Sequence, residues 1–143
     1  MKSQAVVFNS PKQLSLQALE LPALQAGQIE VAVEFSGIST GTERMLWDGS
    51  MPPFPGMGYP LVPGYETVGR VVRAATDTGV QAGQRVFVPG ANCFTGVKSL
   101  FGGAASRLVV AEQKVVTVGE HLGAQAVLLL SLIHISEPTR QAE

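Results

Sequence analysis

The stretch Pro60-Leu61-Val62-Pro63-Gly64-Tyr65-Glu66-Thr67-Val68-Gly69 marks the point where the chain changes from irregular structure to strand. Its two prolines lack the backbone N–H that a strand donates, so no central strand can run through them. The preceding residues 48–60 hold four prolines and three glycines, which argues against a regular element there. Beyond the stretch, β-branched and apolar residues predict a strand over residues 66–74.

Further short strand patterns lie on both sides of this stretch. The clearest covers residues 29–35, because Ile29, Val31, Val33 and Phe35 alternate with polar or small residues. Many short strands separated by Gly and Pro turns indicate a mostly β domain, either a barrel or a sandwich. The predicted strands are 5–8, 14–21, 29–35, 66–74, 85–88, 104–110 and 114–118.

Two helical patterns interrupt the strands. The first is one or two turns long and ends near Trp47, with Thr40 or Thr42 as its N-cap. The second begins at Glu120 and covers residues 120–129. Residues 130–140 read LSLIHISEPTR, which matches the in-frame translation of a transposase sequencing adaptor. We therefore expect residues 130–143 to be a library artefact and the native sequence to end near Leu129.

Composition restricts the class of protein. The 143 residues are 45% apolar with a net charge of −1, which suits one packed domain and excludes a disordered chain. Lys and Arg are scattered singly, so we expect no nucleic-acid partner. The longest apolar run, 126–133, is far shorter than the ~20 residues that a membrane span needs. With one cysteine, Cys93, and no signal-peptide pattern, the sequence predicts a cytoplasmic protein.

Four motifs in register resemble the medium-chain dehydrogenases. Residues 37–43, Gly-Ile-Ser-Thr-Gly-Thr-Glu, lie where that family carries Gly-Ile-Cys-Gly-Thr-Asp. Residues 60–69 are similar to its Pro-Leu-Ile-Pro-Gly-His-Glu-x-x-Gly, residues 83–86 to its Gly-Asp-Arg-Val, and residues 102–105 to its Gly-Gly-x-Ala-Glu. The resemblance implies a GroES-like, partly open β-barrel over residues 1–119. Residues 120–129 would then begin the helix that leads to a Rossmann domain, which is missing from this chain.

A closer resemblance lies within that family. Residues 36–43, 51–66 and 86–94 resemble the branch that oxidises the 1-hydroxyethyl group of a bacteriochlorophyllide to acetyl in bacteriochlorophyll biosynthesis. The resemblance implies NAD as hydride acceptor, a tetrapyrrole substrate and a homo-oligomer formed through the missing domain. The dinucleotide would bind mainly to that domain, so the 143-residue chain alone is expected to be inactive.

The zinc ligands of the family have no counterparts here. The resemblance places Ser39 or Thr40 at the position of the catalytic Cys and Tyr65 at that of the His. Neutral hydroxyls do not replace a thiolate and an imidazole at tetrahedral zinc. The structural zinc needs four Cys after Val88, and only Cys93 is present. We therefore expect a zinc-independent enzyme.

Without zinc, side chains must take up the alcohol proton. Thr42 aligns with the hydroxyl residue that begins the family's proton relay, and Tyr65 is expected to face the same cleft. A Tyr acts near neutral pH only with a neighbouring positive charge or hydrogen bonds, because its ordinary pKa is about 10. Glu43 is a third candidate, which could orient these groups. The competing interpretation is that Tyr65 packs beside Glu66 and that Thr42 caps the helix.

The Pro- and Gly-rich loop 51–59 is the candidate substrate lid. Met and aromatic side chains suit a flat apolar ligand, and prolines lower the entropy cost of ordering the loop. The alternative is a surface loop that folds back on the barrel or on the missing domain. The substrate-binding candidates are Ser39, Thr40, Met51, Phe54, Met57 and Tyr59.

Two other functions are compatible with the sequence. One is a zinc-independent quinone or enoyl reductase of the same superfamily, which the absent metal ligands also permit. The other is a non-catalytic GroES-like module that binds a pigment. No G-x-G-x-x-G phosphate loop occurs in the 143 residues, so a cofactor-binding residue is not assigned.

Overall fold

The computed structural model describes residues 1–99 and 101–123, and these residues form a mostly β domain. The elements are β1 (Lys2–Ser10), β2 (Gln13–Glu20), β3 (Gln28–Ser36), α1 (Thr40–Asp48), β4 (Leu61–Val62), β5 (Thr67–Ala74), β6 (Arg85–Val88), β7 (Lys98–Ser99), β8 (Arg107–Ala111), a 3-10 turn (Glu112–Lys114) and β9 (Val116–Thr117). The prediction of a mostly β domain is confirmed. Residues 124–143, which include the proposed helix continuation and adaptor sequence, lie outside the described residues.

The strands form two sheets that are joined along one side. One sheet has the order β2-β1-β4-β7, and the other has the order β8-β3-β5-β6-β9. Residues 104–106 connect them, because Val6 N–H donates to Ala104 O at 2.9 Å on one side and Val33 N–H donates to Ser106 O at 2.9 Å on the other. Over residues 1–99 and 101–123 no other strand pairing closes the two sheets, which confirms the prediction of a partly open barrel.

Alternation along the strands fills the space between the sheets. Ala5 and Val7 of β1 and Ile29 and Val31 of β3 are fully buried. Their side chains point to one face because neighbouring residues of a strand point to opposite faces. The same cluster takes in Val62, Val71, Val86, Val88, Leu108, Val109 and Val110.

A fully buried carboxylate lies on the central strand β3. Arg73 Nη2 donates to Glu30 Oε1 at 2.6 Å, and Arg107 Nη1 donates to Oε2 at 2.5 Å. Burial acts to raise the pKa of Glu30, but the hydrogen bonds and charges of the two arginines outweigh it and hold the pKa below its ordinary value. The arginines come from β5 and β8, so the group ties β3 to both neighbours.

Several local predictions need correction. The N-cap of α1 is Ser39 and neither Thr40 nor Thr42, and its side chain makes no capping hydrogen bond. Residues 104–106 are not part of β8, because they leave it to bridge the two sheets. The helix predicted to begin at Glu120 does not begin there, because Glu120 and the next residue form a turn. Residues 124–129 of that predicted helix lie outside the described residues. Within the described part of the chain, no helix combines the length and apolar character that a bilayer crossing requires.

Candidate active site

Two loops that the sequence places 20 residues apart meet at one edge of the barrel. Gly37 N–H donates to Glu66 O at 2.7 Å, which holds the end of β3 beside the 63–66 turn. The backbone N–H groups of Ser39 and Gly64 also act on the Glu43 carboxyl, where they favour the charged form and lower its pKa. Two of the motifs singled out in the sequence therefore form one site.

Gly64 permits this approach. Its φ of +117° is a backbone conformation that other residues rarely adopt, and an added Cβ would lie 2.6 Å from Ala104 N and 2.7 Å from Gly103 N. Ala104 N–H donates to Pro63 O at 3.0 Å, so the 102–104 segment lies directly against the turn. No side chain larger than hydrogen fits between these two segments.

Glu43 combines partial burial with an unused oxygen. It lies in the first turn of α1, and its Oε2 is buried without a hydrogen-bond partner among the described residues. Burial raises the pKa of this carboxyl above its ordinary value, although backbone N–H groups oppose the shift. Such a carboxyl takes up a proton more readily than an exposed glutamate does.

Tyr65 lies within electrostatic range of Glu43. Burial raises the pKa of its phenol, and the charges of Glu66 and Glu43 raise it further. The phenol therefore stays protonated near neutral pH, and no positive charge within the described part of the chain offsets the effect of the two carboxylates. Its ring meets Phe101 edge to face, with ring centroids 5.2 Å apart. Phe101 was not among the residues that the sequence singled out.

A cavity of about 530 Å³ opens beside Glu43. It lies between the β1–β2 hairpin and the loop before α1, and its wall is mainly apolar. Leu16 and Ile38 on its rim are 72% and 73% exposed. Ser36, whose Oγ is buried without a partner among the described residues, also lines it. No local sequence pattern predicts this cavity, because its lining residues come from β1, β2 and the segments 36–43, 63–64 and 104–106.

The loop 51–59 packs back on the barrel in its own cluster. Met51, Met57 and Tyr59 contact a buried group made of Phe8, Leu46 and Leu61. The Tyr59 hydroxyl donates to Leu46 O at 2.5 Å. None of the loop's predicted substrate residues is among those that line the 530 Å³ cavity. Phe54 remains 37% exposed and is the member best able to meet a ligand.

The hydroxyl residues lie at the start of α1. Ser39 is half-buried at the N-cap, Thr40 is exposed, and Thr42 is half-buried one residue before Glu43. With Tyr65, these residues are neutral oxygen donors, and they do not fit the tetrahedral zinc site of the family. Within residues 1–99 and 101–123, no three His, Cys, Asp or Glu side chains group as metal ligands do.

Comparison with known proteins shows which family this domain belongs to. Residues 25–120 match the alcohol dehydrogenase GroES-like domain. The chain is 52% identical over 130 residues to the 2-desacetyl-2-hydroxyethyl bacteriochlorophyllide A dehydrogenase of Rhodobacter capsulatus. The matched region covers 90% of this chain and 41% of that protein. It is 49% identical over 134 residues to the protein of the same name from Cereibacter sphaeroides, with 90% of the chain and 42% of the relative covered. The chain thus spans about two fifths of the length of these relatives.

A solved structure shares the fold. The 2R,3R-butanediol dehydrogenase of Bacillus subtilis superposes with a TM-score of 0.70 at 20% identity, over 87% of this chain and 42% of that one. At this identity the likeness concerns the fold, and it agrees with the family match over residues 25–120. The chain belongs to the alcohol dehydrogenase GroES-like domain family of medium-chain dehydrogenases.

Proposed function

We propose that this domain is the substrate-binding and proton-accepting part of a dehydrogenase that oxidises the 1-hydroxyethyl group of a bacteriochlorophyllide to acetyl. The observation that carries the proposal is the 52% identity over 130 residues to a relative named for a hydroxyethyl bacteriochlorophyllide. A second relative of the same name at 49% identity supports it. When bound, NAD supplies the chemistry of accepting the hydride from the alcohol carbon.

Glu43 is the proposed final acceptor of the alcohol proton. Oxidation removes a hydride from carbon and a proton from the hydroxyl oxygen, so the protein needs a base near the alcohol. Glu43 lines the cavity, and burial raises the pKa of its carboxyl. Its Oε2 makes no hydrogen bond to another described residue, so this oxygen is available for a proton.

Tyr65 and Thr42 are proposed to carry the proton toward Glu43. A hydroxyl can donate one proton while it accepts another, so neither residue has to ionise. This suits Tyr65, because burial and two neighbouring carboxylates raise the pKa of its phenol and make it a poor base. Thr42 is half-buried beside Glu43 in the first turn of α1.

Two surfaces are proposed to receive the apolar body of the tetrapyrrole. The first is the 530 Å³ cavity with Leu16 and Ile38 on its rim. The second is the exposed ring of Phe54, which lies in the same loop as the packed side chains of Met51, Met57 and Tyr59. Ser39 and Thr40 would offer hydroxyls to polar groups of the substrate. NAD is proposed to bind outside these residues, in the part of the relatives that this chain does not match, and no zinc is required.

The test is an assay of the full-length protein that carries this domain. Purified after treatment with a chelator, it should reduce NAD when given 3-(1-hydroxyethyl)bacteriochlorophyllide a, and the pigment's absorption band should shift as acetyl forms. Absence of turnover with this pigment, together with NADPH-dependent reduction of quinones, would replace the proposal with the quinone reductase alternative. Pigment binding without any redox chemistry would favour the binding module.

A further inference from the structure

Phe101 holds an unfavourable backbone conformation. Its φ is +64°, in the left-handed region that an aromatic residue rarely adopts. The other non-glycine residue with positive φ among the described residues is Lys12, which lies in the tight turn between β1 and β2. Hairpin geometry explains Lys12, whereas Phe101 lies in no hairpin turn. Backbone strain of this kind concentrates at functional sites.

Burial of the ring does not explain the conformation, since Phe101 is 37% exposed. What the ring does contact is Tyr65, at a centroid distance of 5.2 Å and an interplanar angle of 73°. Edge-to-face pairs of this geometry attract each other beyond the area that they bury. The strained residue therefore contacts a member of the candidate active site.

Backbone contacts at Phe101 and at the residues after it connect this segment to its neighbours. Ala91 N–H donates to Phe101 O at 2.6 Å. The next residue, Gly102, also has positive φ, and an added Cβ there would lie 2.1 Å from Ala91 O. Two residues further on, Ala104 N–H donates to Pro63 O in the turn that carries Tyr65. The segment 101–104 is thus joined to the turn 63–65 by a backbone hydrogen bond and by the Tyr65–Phe101 ring contact.

We infer that Phe101 is a positioning residue, whose strained backbone holds its ring against Tyr65 and fixes the direction of the Tyr65 hydroxyl. The inference rests on the proposed function, in which that hydroxyl relays the alcohol proton. Proton relays need hydroxyls held within hydrogen-bond reach, and an error of about 1 Å costs about a hundredfold in rate. Removing the ring would let the phenol rotate.

The test in the 143-residue chain uses the fact that it contains two tyrosines, Tyr59 and Tyr65. In a Tyr59→Phe background, NMR signals of ring-labelled tyrosine report Tyr65 alone. Phe101→Leu should shift these signals at pH 7 and lower the pH at which the phenol ionises, because the ring becomes more hydrated. Phe35→Leu is the matched control, since Phe35 is 41% exposed but has ordinary φ and is not Tyr65's ring partner.

Phe101→Gly keeps the inference testable if the Leu variant folds poorly. Glycine adopts φ of +64° without strain, so Phe101→Gly should melt at a higher temperature than Phe101→Ala while it loses the same ring contact. Tyr65 signals that are unchanged in both Phe101→Leu and Phe101→Gly would overturn the inference.

Activity separates this inference from the proposed function. In the full-length protein, Phe101→Leu should lower kcat by about tenfold to a hundredfold with KM changed little, and the pH profile should broaden. Unchanged kcat in that variant, with an active parent, would overturn the positioning role alone. A parent that fails to oxidise the pigment would instead overturn the proposed function, and the NMR result would still stand.

Discussion

Two opposing effects act on the pKa of the Glu43 carboxyl. Burial raises the pKa of its carboxyl, whereas backbone N–H groups of Ser39 and Gly64 favour the charged form. Burial prevails, so the folded protein holds this proton up to a higher pH than the unfolded chain does. Between the ordinary and the raised pKa the folded state binds more protons, and stability from this group falls as the pH rises through that window. A raised carboxyl pKa is consistent with the role of proton acceptor that we propose for Glu43.

Glu43→Gln tests this role directly. The amide keeps the size of the side chain but cannot accept the alcohol proton. In the full-length protein we expect kcat to fall by about 10²–10⁴-fold, as for loss of a general base. In the parent, kcat should fall as the pH drops through a pKa above the ordinary glutamate value, because the carboxylate is the active form. A variant with parental kcat, or a rate that rises toward acid pH, would contradict the role.

Gly64→Ala tests the close approach of the two active-site segments. The added methyl group would meet backbone nitrogen atoms at 2.6 and 2.7 Å, and φ of +117° would strain the residue as well. We expect a loss of about 3 kcal/mol or more in the free energy of unfolding by urea. Gly83→Ala is the control, because Gly83 has φ of +90° and nothing lies within 4 Å of its added Cβ. It should lose only about 1–2 kcal/mol, and equal losses would show that sterics at Gly64 are unimportant.

At the scale of elements, the alternation of apolar residues predicts the long strands well. The pattern over residues 29–35 falls within β3, and the prediction of 66–74 differs from β5 by one residue. The strands β4 and β7 are two residues each and pair with each other in parallel, through a long-range contact that no local pattern encodes. The motifs at residues 37–43 and 60–69 predict that Glu43 and Tyr65 belong to one site. The motifs do not point to Phe101, because its proposed role depends on a φ angle and a ring contact. Both appear only when segments 63–65 and 101–104 meet in the folded domain.

Arg107→Met tests how β3 is joined to β8. The variant leaves one oxygen of the fully buried Glu30 without its charged partner, and we expect a loss of about 2 kcal/mol in the free energy of unfolding. Lys2→Met is the control, because the Lys2–Glu20 pair is more than 60% exposed on both sides and pairs of this kind contribute less than about 1 kcal/mol.

The difference in unfolding free energy between the parent and Arg107→Met should depend on pH in a definite direction. The pKa of Glu30 is lowered in the folded protein, so the stability it contributes is fully present above the ordinary glutamate pKa. It is lost as the pH falls through the lowered, folded-state value. Urea unfolding of the parent and Arg107→Met should therefore converge toward acid pH. A difference that is constant or grows as the pH falls would show that the arginine acts through its aliphatic stem alone.

At the scale of the whole molecule, the proposed function divides an oxidation between this domain, which would take the proton, and a hydride acceptor bound elsewhere. Its described residues place the Glu43 carboxyl and the Ser36 hydroxyl in the wall of an apolar cavity, which suits the proposed binding of an alcohol and uptake of its proton. The relatives that it matches are more than twice its length. We therefore propose that hydride transfer takes place where this domain meets the rest of such a protein, beside the 37–43 and 63–66 loops.

Titration of NAD into the 143-residue chain tests whether the dinucleotide binds outside this domain. The diphosphate of a dinucleotide is held by several backbone N–H groups of a glycine-rich turn at a helix start, and the sequence contains no G-x-G-x-x-G. We expect no calorimetric signal up to millimolar NAD, whereas the full-length protein should give a saturable one. The chain should nevertheless change the fluorescence of an added hydroxyethyl chlorin, because the apolar cavity lies within it. A saturable NAD signal from the 143-residue chain would locate dinucleotide binding in this domain and move the proposed hydride-transfer site into the barrel itself.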